Sequence, residues 1–238
     1  MARAMILAAG RGERMRPLTE TRPKPMLEVG GKALIVWQIE RLVSAGFDDL
    51  VINVAHLAVE IEAALGDGKR FGATIRYSRE PFPLEVAGGI ATALPVLGEG
   101  VIPIVSADLY TNYDYSALHA RLAKMAAASQ PPHLHMVMVP NPEYHSDGDF
   151  ALERGRLTLT AAPRLTFGNI ALYRTSLFSG MSRGVRLRIL PLYQDWIRRG
   201  WASGELYTGP WVNVGTAAEL DRLDRALRSS VRENAKAN

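Results

Sequence analysis

The sequence predicts an α/β fold: a doubly wound, mostly parallel sheet of the Rossmann-like kind, carrying a small β-rich lobe. Two observations predict it. From Ala4 to Ala128, short apolar runs alternate with stretches of helical periodicity at the spacing of βα units. At Ser129-Gln130-Pro131-Pro132 that alternation breaks, and short strands separated by turns follow. No internal repeat is visible.

Taken in order, Ala4-Met5-Ile6-Leu7 reads as a first buried strand, followed by a long loop rich in glycine, proline and cations. Leu34 to Val43 has helical periodicity and stops at Gly46. Leu50 to Val54 is a short buried strand, and a helix from Val59 to Leu65 ends at Gly66-Asp67-Gly68. Thr74 to Tyr77 is a strand, Gly88 to Leu97 a helix, and Val101 to Val105 a strand in which Pro103 is irregular. Tyr115 to Ala128 is helical. Beyond the break, strands are expected at Leu134 to Val139, Phe150 to Glu153, Leu157 to Leu159 and Leu165 to Tyr173. An amphipathic helix over Leu187 to Arg199 is interrupted by Pro191. Trp211 to Thr216 is a last strand and turn, and Ala217 to Leu227 a closing helix. The expected organisation is one domain over 1–228. Its ligand-binding half covers about 1–128, a second lobe about 133–210, and a frayed tail 229–238.

The chain has 238 residues, 47% of them hydrophobic and 22% charged, as in ordinary globular domains. No apolar run is long enough to span a membrane. The first strand opens at Ala4, so no signal peptide is expected. With no cysteine there is neither a disulfide framework nor thiolate chemistry, and the expected compartment is the cytoplasm. A net charge of +4, spread along the chain, does not favour a nucleic-acid face. The five histidines show no metal-ligand spacing on a helix.

The richest stretch is Leu7-Ala8-Ala9-Gly10-Arg11-Gly12-Glu13-Arg14-Met15-Arg16-Pro17-Leu18-Thr19, followed by Pro23-Lys24-Pro25. Small residues after a strand let backbone N–H groups approach anionic oxygens, and Arg11, Arg14, Arg16 and Lys24 add positive charge. A nucleoside triphosphate suits this combination. The dinucleotide fingerprint fails, because Met15 takes its third glycine position, which disfavours a nicotinamide dehydrogenase. The P-loop pattern fails too: Ala33 follows Gly31-Lys32.

The longer string, Leu-Ala-Ala-Gly-x-Gly-x-Arg-Met-x-Pro-Leu-Thr with Pro-Lys-Pro, resembles the sugar-1-phosphate nucleotidyltransferase family. The likeness extends from Ala4 to about Leu227. It implies Mg²⁺-dependent attack of a sugar 1-phosphate on the α-phosphorus of a nucleoside triphosphate, with pyrophosphate leaving. On the family pattern, Ala8, Ala9, Gly10, Gly12, Glu85 and Gly88 face the nucleotide. Arg14 holds the leaving pyrophosphate, and Lys24 the α-phosphate and the incoming phosphate. Arg11 and Arg16 stand evenly between phosphate and solvent. Asp108, in Ser106-Ala107-Asp108, corresponds to the family's metal-holding aspartate, with an ordinary helix cap as the alternative. Asn213 stands where relatives mostly carry aspartate in Trp-x-Asp-x-Gly-Thr; it is the second expected metal ligand, one negative charge short. Val86 replaces a usual threonine.

Asn-Pro at Asn141-Pro142 and Gly-Asp-Phe at Gly148-Asp149-Phe150 resemble a segment of the N-acetylmuramate-1-phosphate uridylyltransferases. Gly168-Asn169 departs from those relatives, and Arg188 falls where they often have lysine. Asn141, Asp149, Asn169 and Arg188 are therefore candidates for the sugar pocket, with turn chemistry as the equal alternative. The resemblance implies UTP and N-acetylmuramate 1-phosphate as substrates, in cell-wall recycling. The alternatives are a mannose- or heptose-1-phosphate guanylyltransferase, and a non-catalytic nucleotide-binding regulatory domain. The sequence predicts no oligomeric state.

Overall fold

The computed structural model describes the backbone of residues 2–237 and side chains through Ser229. In chain order the elements are β1 (Arg3–Leu7), α1 (Leu18–Thr21), β2 (Glu28–Val29), β3 (Lys32–Ala33), α2 (Leu34–Ser44), β4 (Asp49–Val54), α3 (Ala58–Leu65), β5 (Thr74–Arg79), α4 (Glu85–Leu97) and β6 (Val101–Ser106). They continue as β7 (Leu109–Thr111), α5 (Ala117–Ala127), β8 (Leu134–Val139), β9 (Phe150–Glu153), β10 (Arg156–Thr158), β11 (Arg164–Arg174), α6 (Leu190–Arg198), β12 (Ala202–Leu206), β13 (Trp211–Asn213) and α7 (Ala217–Ala237).

The main sheet has nine strands in the order β5-β4-β1-β6-β11-β8-β12-β10-β9. Strands β5, β4, β1 and β6 are parallel; β11 runs antiparallel between β6 and β8, and β12 is parallel to β8. The order reverses at β1, with β4 on one side and β6 on the other, and a doubly wound sheet binds ligands at that crevice. The strands beyond residues 129–132 extend the same sheet. All six residues of β4 and all six of β8 are buried. Apolar side chains cover one face of the sheet from Ile6, Ile52 and Val105, and the other from Met5, Val51 and Ile104. This alternation follows the two-residue period of a strand.

Several elements differ from the sequence expectation. Helix α4 begins at Glu85, three residues before Gly88, because the Glu80 carboxylate accepts the Leu84 N–H at 2.8 Å and fixes the entry turn. Pro191 sits in the first turn of α6 and starts the helix instead of interrupting it, since its missing N–H is not needed there. Pro103 does lie inside β6, opposite Leu172, where pairing to β1 begins only at Ile104. Strand β13 is not part of the main sheet; it pairs with β7 in a separate ribbon, Asn213 opposite Leu109. Strands β2, β3, β7 and β12 have no counterpart in the expected elements. Helix α7 runs to Ala237, beyond the expected Leu227. The expected fraying of 229–238 falls outside the described residues at Asn238 and outside the described side chains after Ser229.

A polar chain crosses the buried side of β8 and β12. Ser203 Oγ lies 2.8 Å from His135 Nδ1, His135 Nε2 lies 3.3 Å from Glu205 Oε2, and the Tyr113 hydroxyl donates to Glu205 Oε1. The His135 contact, with Tyr113 and the charge of Arg121, holds the Glu205 carboxyl at about 2 against the burial that opposes it. A carboxyl depressed from 4.5 to about 2 stabilises the fold fully above pH 4.5 and loses that stabilisation as pH falls through 2. Glu205→Gln is therefore expected to cost roughly 1–2 kcal/mol at pH 7, allowing for solvent screening of a partly exposed group. The gap to the parent protein should close between pH 4.5 and pH 2 in urea denaturation; a gap constant with pH would contradict this.

Candidate functional site

Two cavities open at the carboxyl ends of the parallel strands, and their walls are linked by a ridge where β13 lies against β7 and the turn after β6. The first, about 510 Å³, is lined by the loop after β1, by Lys24, by the entry to α4 and by Ser106-Ala107-Asp108 after β6. The second, about 450 Å³, is lined by Arg14, Tyr144, Asp149, Asn169, Tyr193 and Asn213, among others.

The first cavity is shaped by absent side chains. A Cβ on Gly10 would meet nothing within 4 Å, so the fold itself does not require glycine there; the open space lies on the cavity side of the loop. Gly12 is different. It adopts φ +64°, and a Cβ would come within 2.9 Å of Thr19 Cγ2 and 3.0 Å of Lys24 Cβ. Glycine at 12 thus lets Lys24 pack against the loop. The Lys24 ammonium forms an ion pair with Asp108, and both side chains are largely sheltered.

The back of this cavity holds a polar pair that the sequence reading did not single out. Ala8 N–H donates to Asn53 Oδ1 at 2.9 Å, and Asn53 Nδ2 donates to Glu80 Oε1 at 2.7 Å. Burial raises the Glu80 pKa above the ordinary carboxylate value, against the hydrogen bonds from Asn53 and Leu84. The available signal was an asparagine within the otherwise apolar run Leu50 to Val54. At the mouth, Glu85 occupies φ +62° and pairs with Arg186 at 2.8 Å.

Of the residues expected at the nucleotide, Ala8, Ala9, Gly10, Lys24 and Glu85 line this cavity. Gly88 does not. It is buried in α4, where a Cβ would lie 2.3 Å from the Val185 carbonyl oxygen, so its glycine serves helix packing. Gly12 lies behind the loop, as its contacts with Thr19 and Lys24 require. Arg14 lines the second cavity instead of the first. Arg11 lines the first cavity and Arg16 neither.

The ridge joins the two metal candidates. The Val214 N–H donates to the Asp108 carbonyl at 2.9 Å, and Asn213 pairs with Leu109 across the ribbon, so the turn that carries Asp108 lies against the end of β13 that carries Asn213. Asp108 lines the first cavity, Asn213 the second. The Asn213 Oδ1 is buried with no hydrogen-bond partner among the described residues. Behind them, Glu219 Oε2 accepts the N–H groups of Gly215 and Thr216 at 2.7 and 2.8 Å, and the Glu219 N–H meets Thr216 Oγ1 at 3.2 Å. This capping box starts α7 and fixes the turn after Asn213. A Cβ on Gly215 would sit 3.1 Å from Arg14 Nη2, so glycine there admits the guanidinium.

In the second cavity, Asn169 adopts φ +56° at a register shift in β11 between Phe167 and Ala171, which turns its side chain out of the ladder. The Trp211 Nε1–H pins this bulge by donating to the Gly168 carbonyl at 2.9 Å. Asp149 Oδ2 accepts the Phe167 N–H at 2.8 Å, and its Oδ1 lies 3.1 Å from His145 Nε2. Burial, followed by the charge of Glu219, raises the Tyr144 pKa, while Arg14 opposes it. Two expected sugar residues are elsewhere. Asn141 spends its amide on Ser146, Arg164 and Thr166, clamping the loop after β8. Arg188 is exposed and lines neither cavity; Arg186, two residues earlier, reaches the first one. The sequence reading did not single out Tyr193 and Trp211 as lining residues.

Among the described residues no helix is long and apolar enough to cross a membrane, and no cluster of three or more His, Cys, Asp or Glu could hold a metal. Residues 3–144 match the family model described as nucleotidyl transferase. The chain is 45% identical over 224 residues to the N-acetylmuramate alpha-1-phosphate uridylyltransferase of Neisseria meningitidis, covering 92% of this chain and 95% of that protein. It is 33% identical to the protein of the same name from Caulobacter vibrioides, covering 89% and 91%. A solved chain from Bacillus anthracis, assigned as a glucose-1-phosphate thymidylyltransferase, superposes with a TM-score of 0.82 at 19% identity, covering 96% of each chain, and so shares the fold.

Proposed function

The chain belongs to the nucleotidyl transferase family, as a sugar-1-phosphate nucleotidyltransferase, and from that premise we propose that it transfers uridylyl from UTP to N-acetylmuramate α-1-phosphate. The likeness to the Neisseria uridylyltransferase over almost the whole chain supports this substrate pair. The two cavities linked by the ridge of Asp108 and Asn213 support the reaction class. The nucleotide occupies the first cavity, the sugar phosphate the second. One nucleotidyltransferase domain covers 1–228, with its nucleotide half at about 1–128 and its acceptor lobe at about 133–210. A cytoplasmic reaction, in cell-wall recycling, fits these substrates.

An oxygen of the sugar phosphate attacks the α-phosphorus, the bond to the bridging oxygen breaks, and pyrophosphate leaves. A phosphate monoester has a second pKa of about 6, so the nucleophile is already ionised at neutral pH and needs no base. What remains is to position two anions and stabilise the charge that moves. Gly10 leaves its backbone open to the triphosphate, and Glu80 with Asn53 holds the α4 entry and the β1 loop at a fixed spacing. Lys24 brings a cation to the ridge. Arg14, on the acceptor side, is placed for the sugar phosphate; the expected hold on pyrophosphate requires the loop from Gly10 to Arg16 to turn toward the first cavity. Asp149 and Asn169 face the sugar.

Mg²⁺ fits the ridge: Asp108 supplies a carboxylate, the partnerless Asn213 Oδ1 an amide oxygen, and this cation keeps water and phosphate as its other ligands. Bound there, it supplies charge neutralisation to the phosphates. Asn213→Asp adds one negative charge beside that divalent cation, about 2 kcal/mol at about 4 Å in a water-like medium. The half-saturating Mg²⁺ concentration is expected to fall about thirtyfold; an unchanged value would remove Asn213 from the metal.

The substrate assignment is tested by pyrophosphate release with Mg²⁺, crossing the four nucleoside triphosphates against N-acetylmuramate, glucose, mannose and heptose 1-phosphates. Release with UTP and the muramate is expected. Release with GTP and mannose or heptose would move the protein to another substrate class.

A further inference from the structure

We propose a second anion site, at the opposite end of the sheet from the nucleotide cavity, that takes a small ligand carrying one or two phosphate groups. Its walls bring together Arg121 and Lys124 from α5 and Arg154 and Arg156 from the β9–β10 hairpin, around a cavity of about 250 Å³.

Strand directions fix its position. Strands β8 and β12 run parallel to each other and, through β11, in the same direction as β6 and β1. The nucleotide cavity follows the carboxyl ends of β1 and β6, whereas this pocket meets Pro132, just before β8, and Ala202, the first residue of β12. A strand of this length, about 17–20 Å, separates the two ends.

Three observations point to an anion. Among the described residues Lys124, Arg154 and Arg156 make no side-chain hydrogen bond or ion pair, and Arg121 approaches only Glu205, at 3.8 Å. Glu153 stands opposite Arg156 in the hairpin register but forms no ion pair with it. Second, the hairpin turn is Arg154-Gly155, with φ +49° at Arg154 and +78° at Gly155. A two-residue turn of this kind favours asparagine, aspartate or glycine at its first position. Arginine there works against the backbone, and what it contributes is a cation over the pocket. Third, the cations surround a concavity and do not lie on a flat face. The Ser203 hydroxyl, which also lines the wall, adds a neutral hydrogen-bonding group. The volume suits inorganic phosphate, pyrophosphate or a single sugar phosphate.

The test uses the full-length Lys24→Ala enzyme, which weakens anion binding at the nucleotide cavity, and reads the pocket at its own amides. Inorganic phosphate, pyrophosphate and a hexose 6-phosphate are titrated separately while the amide resonances of Gly155 and Gly200 are followed. Saturable shifts at both amides are expected, and the tightest of the three distinguishes a free phosphate from a phosphorylated metabolite. Adding Arg154→Gly should weaken binding about tenfold while leaving the unfolding temperature unchanged or higher, because glycine accepts φ +49° without strain. Adding Lys124→Ala should weaken binding as well. Affinity unaltered by both substitutions would overturn the proposal. So would shifts that match those produced by equal concentrations of chloride, or binding of heparin at these amides with none of the three phosphates.

Discussion

Asp108→Ala is expected to lower uridylyl transfer by about 10²–10³-fold, as loss of one charge-stabilising group at a transition state does elsewhere. Asp108 closes the strand–turn Val101 to Asp108 and is held from both sides: the Ala107 N–H donates to Leu7, and the Asp108 carbonyl accepts Val214. The backbone that carries the carboxylate is therefore held at the wall of the first cavity. Its loss removes the one full negative charge of the proposed metal pair and leaves Lys24 without its ion-pair partner. The effect should fall on kcat and on the Mg²⁺ requirement, with KM for the sugar phosphate little changed. Steady-state kinetics over a Mg²⁺ series checks this. Asp108→Asn keeps the shape and should recover only part of the rate. A kcat within about threefold of the parent would exclude Asp108 from the chemistry.

Lys24→Ala is expected to cost a similar 10²–10³-fold, about 3–4 kcal/mol of transition-state stabilisation. Lys24 opens a short turn, Lys24–Met26, with prolines on either side that stiffen its backbone, and its stem packs against Gly12. That fixes where the ammonium can reach. Lys24→Arg should restore little, because a planar fork does not replace a compact charge beside a carboxylate in a sheltered space. Since Lys24 and Asp108 are paired, the double substitution should cost clearly less than the product of the single effects. Independent effects would show that the two residues act on different steps.

Much of the nucleotide half was legible in the sequence because its signals are local. The runs Ala4 to Leu7, Leu50 to Val54 and Val101 to Val105 are apolar enough to be central strands, and the small residues of the first loop mark the wall of the first cavity. The acceptor side depends on distant pairing. Strand β12, Ala202–Leu206, has few β-forming residues and exists because β8 pairs with it. The ribbon of β7 and β13 joins residues remote in sequence, and that ribbon alone brings Asn213 beside Asp108. Asn169 was readable as a departure from its relatives, yet its aim depends on a bulge pinned by Trp211. Arg186 and Arg188 lie in a stretch without regular structure, where no period tells which cation turns inward. Gly88 and Gly10 look alike in sequence; only packing shows that the first fills a helix contact and the second leaves room.

The most direct test of the account follows the α-phosphorus. The enzyme is incubated with Mg²⁺, N-acetylmuramate α-1-phosphate and UTP labelled at the α- or, separately, the γ-phosphorus. The account predicts that α-label enters a UDP-sugar, that γ-label leaves in pyrophosphate, and that both stop when the metal is chelated. UTP binding with no transfer of α-label would contradict it and leave a nucleotide-binding protein without this activity.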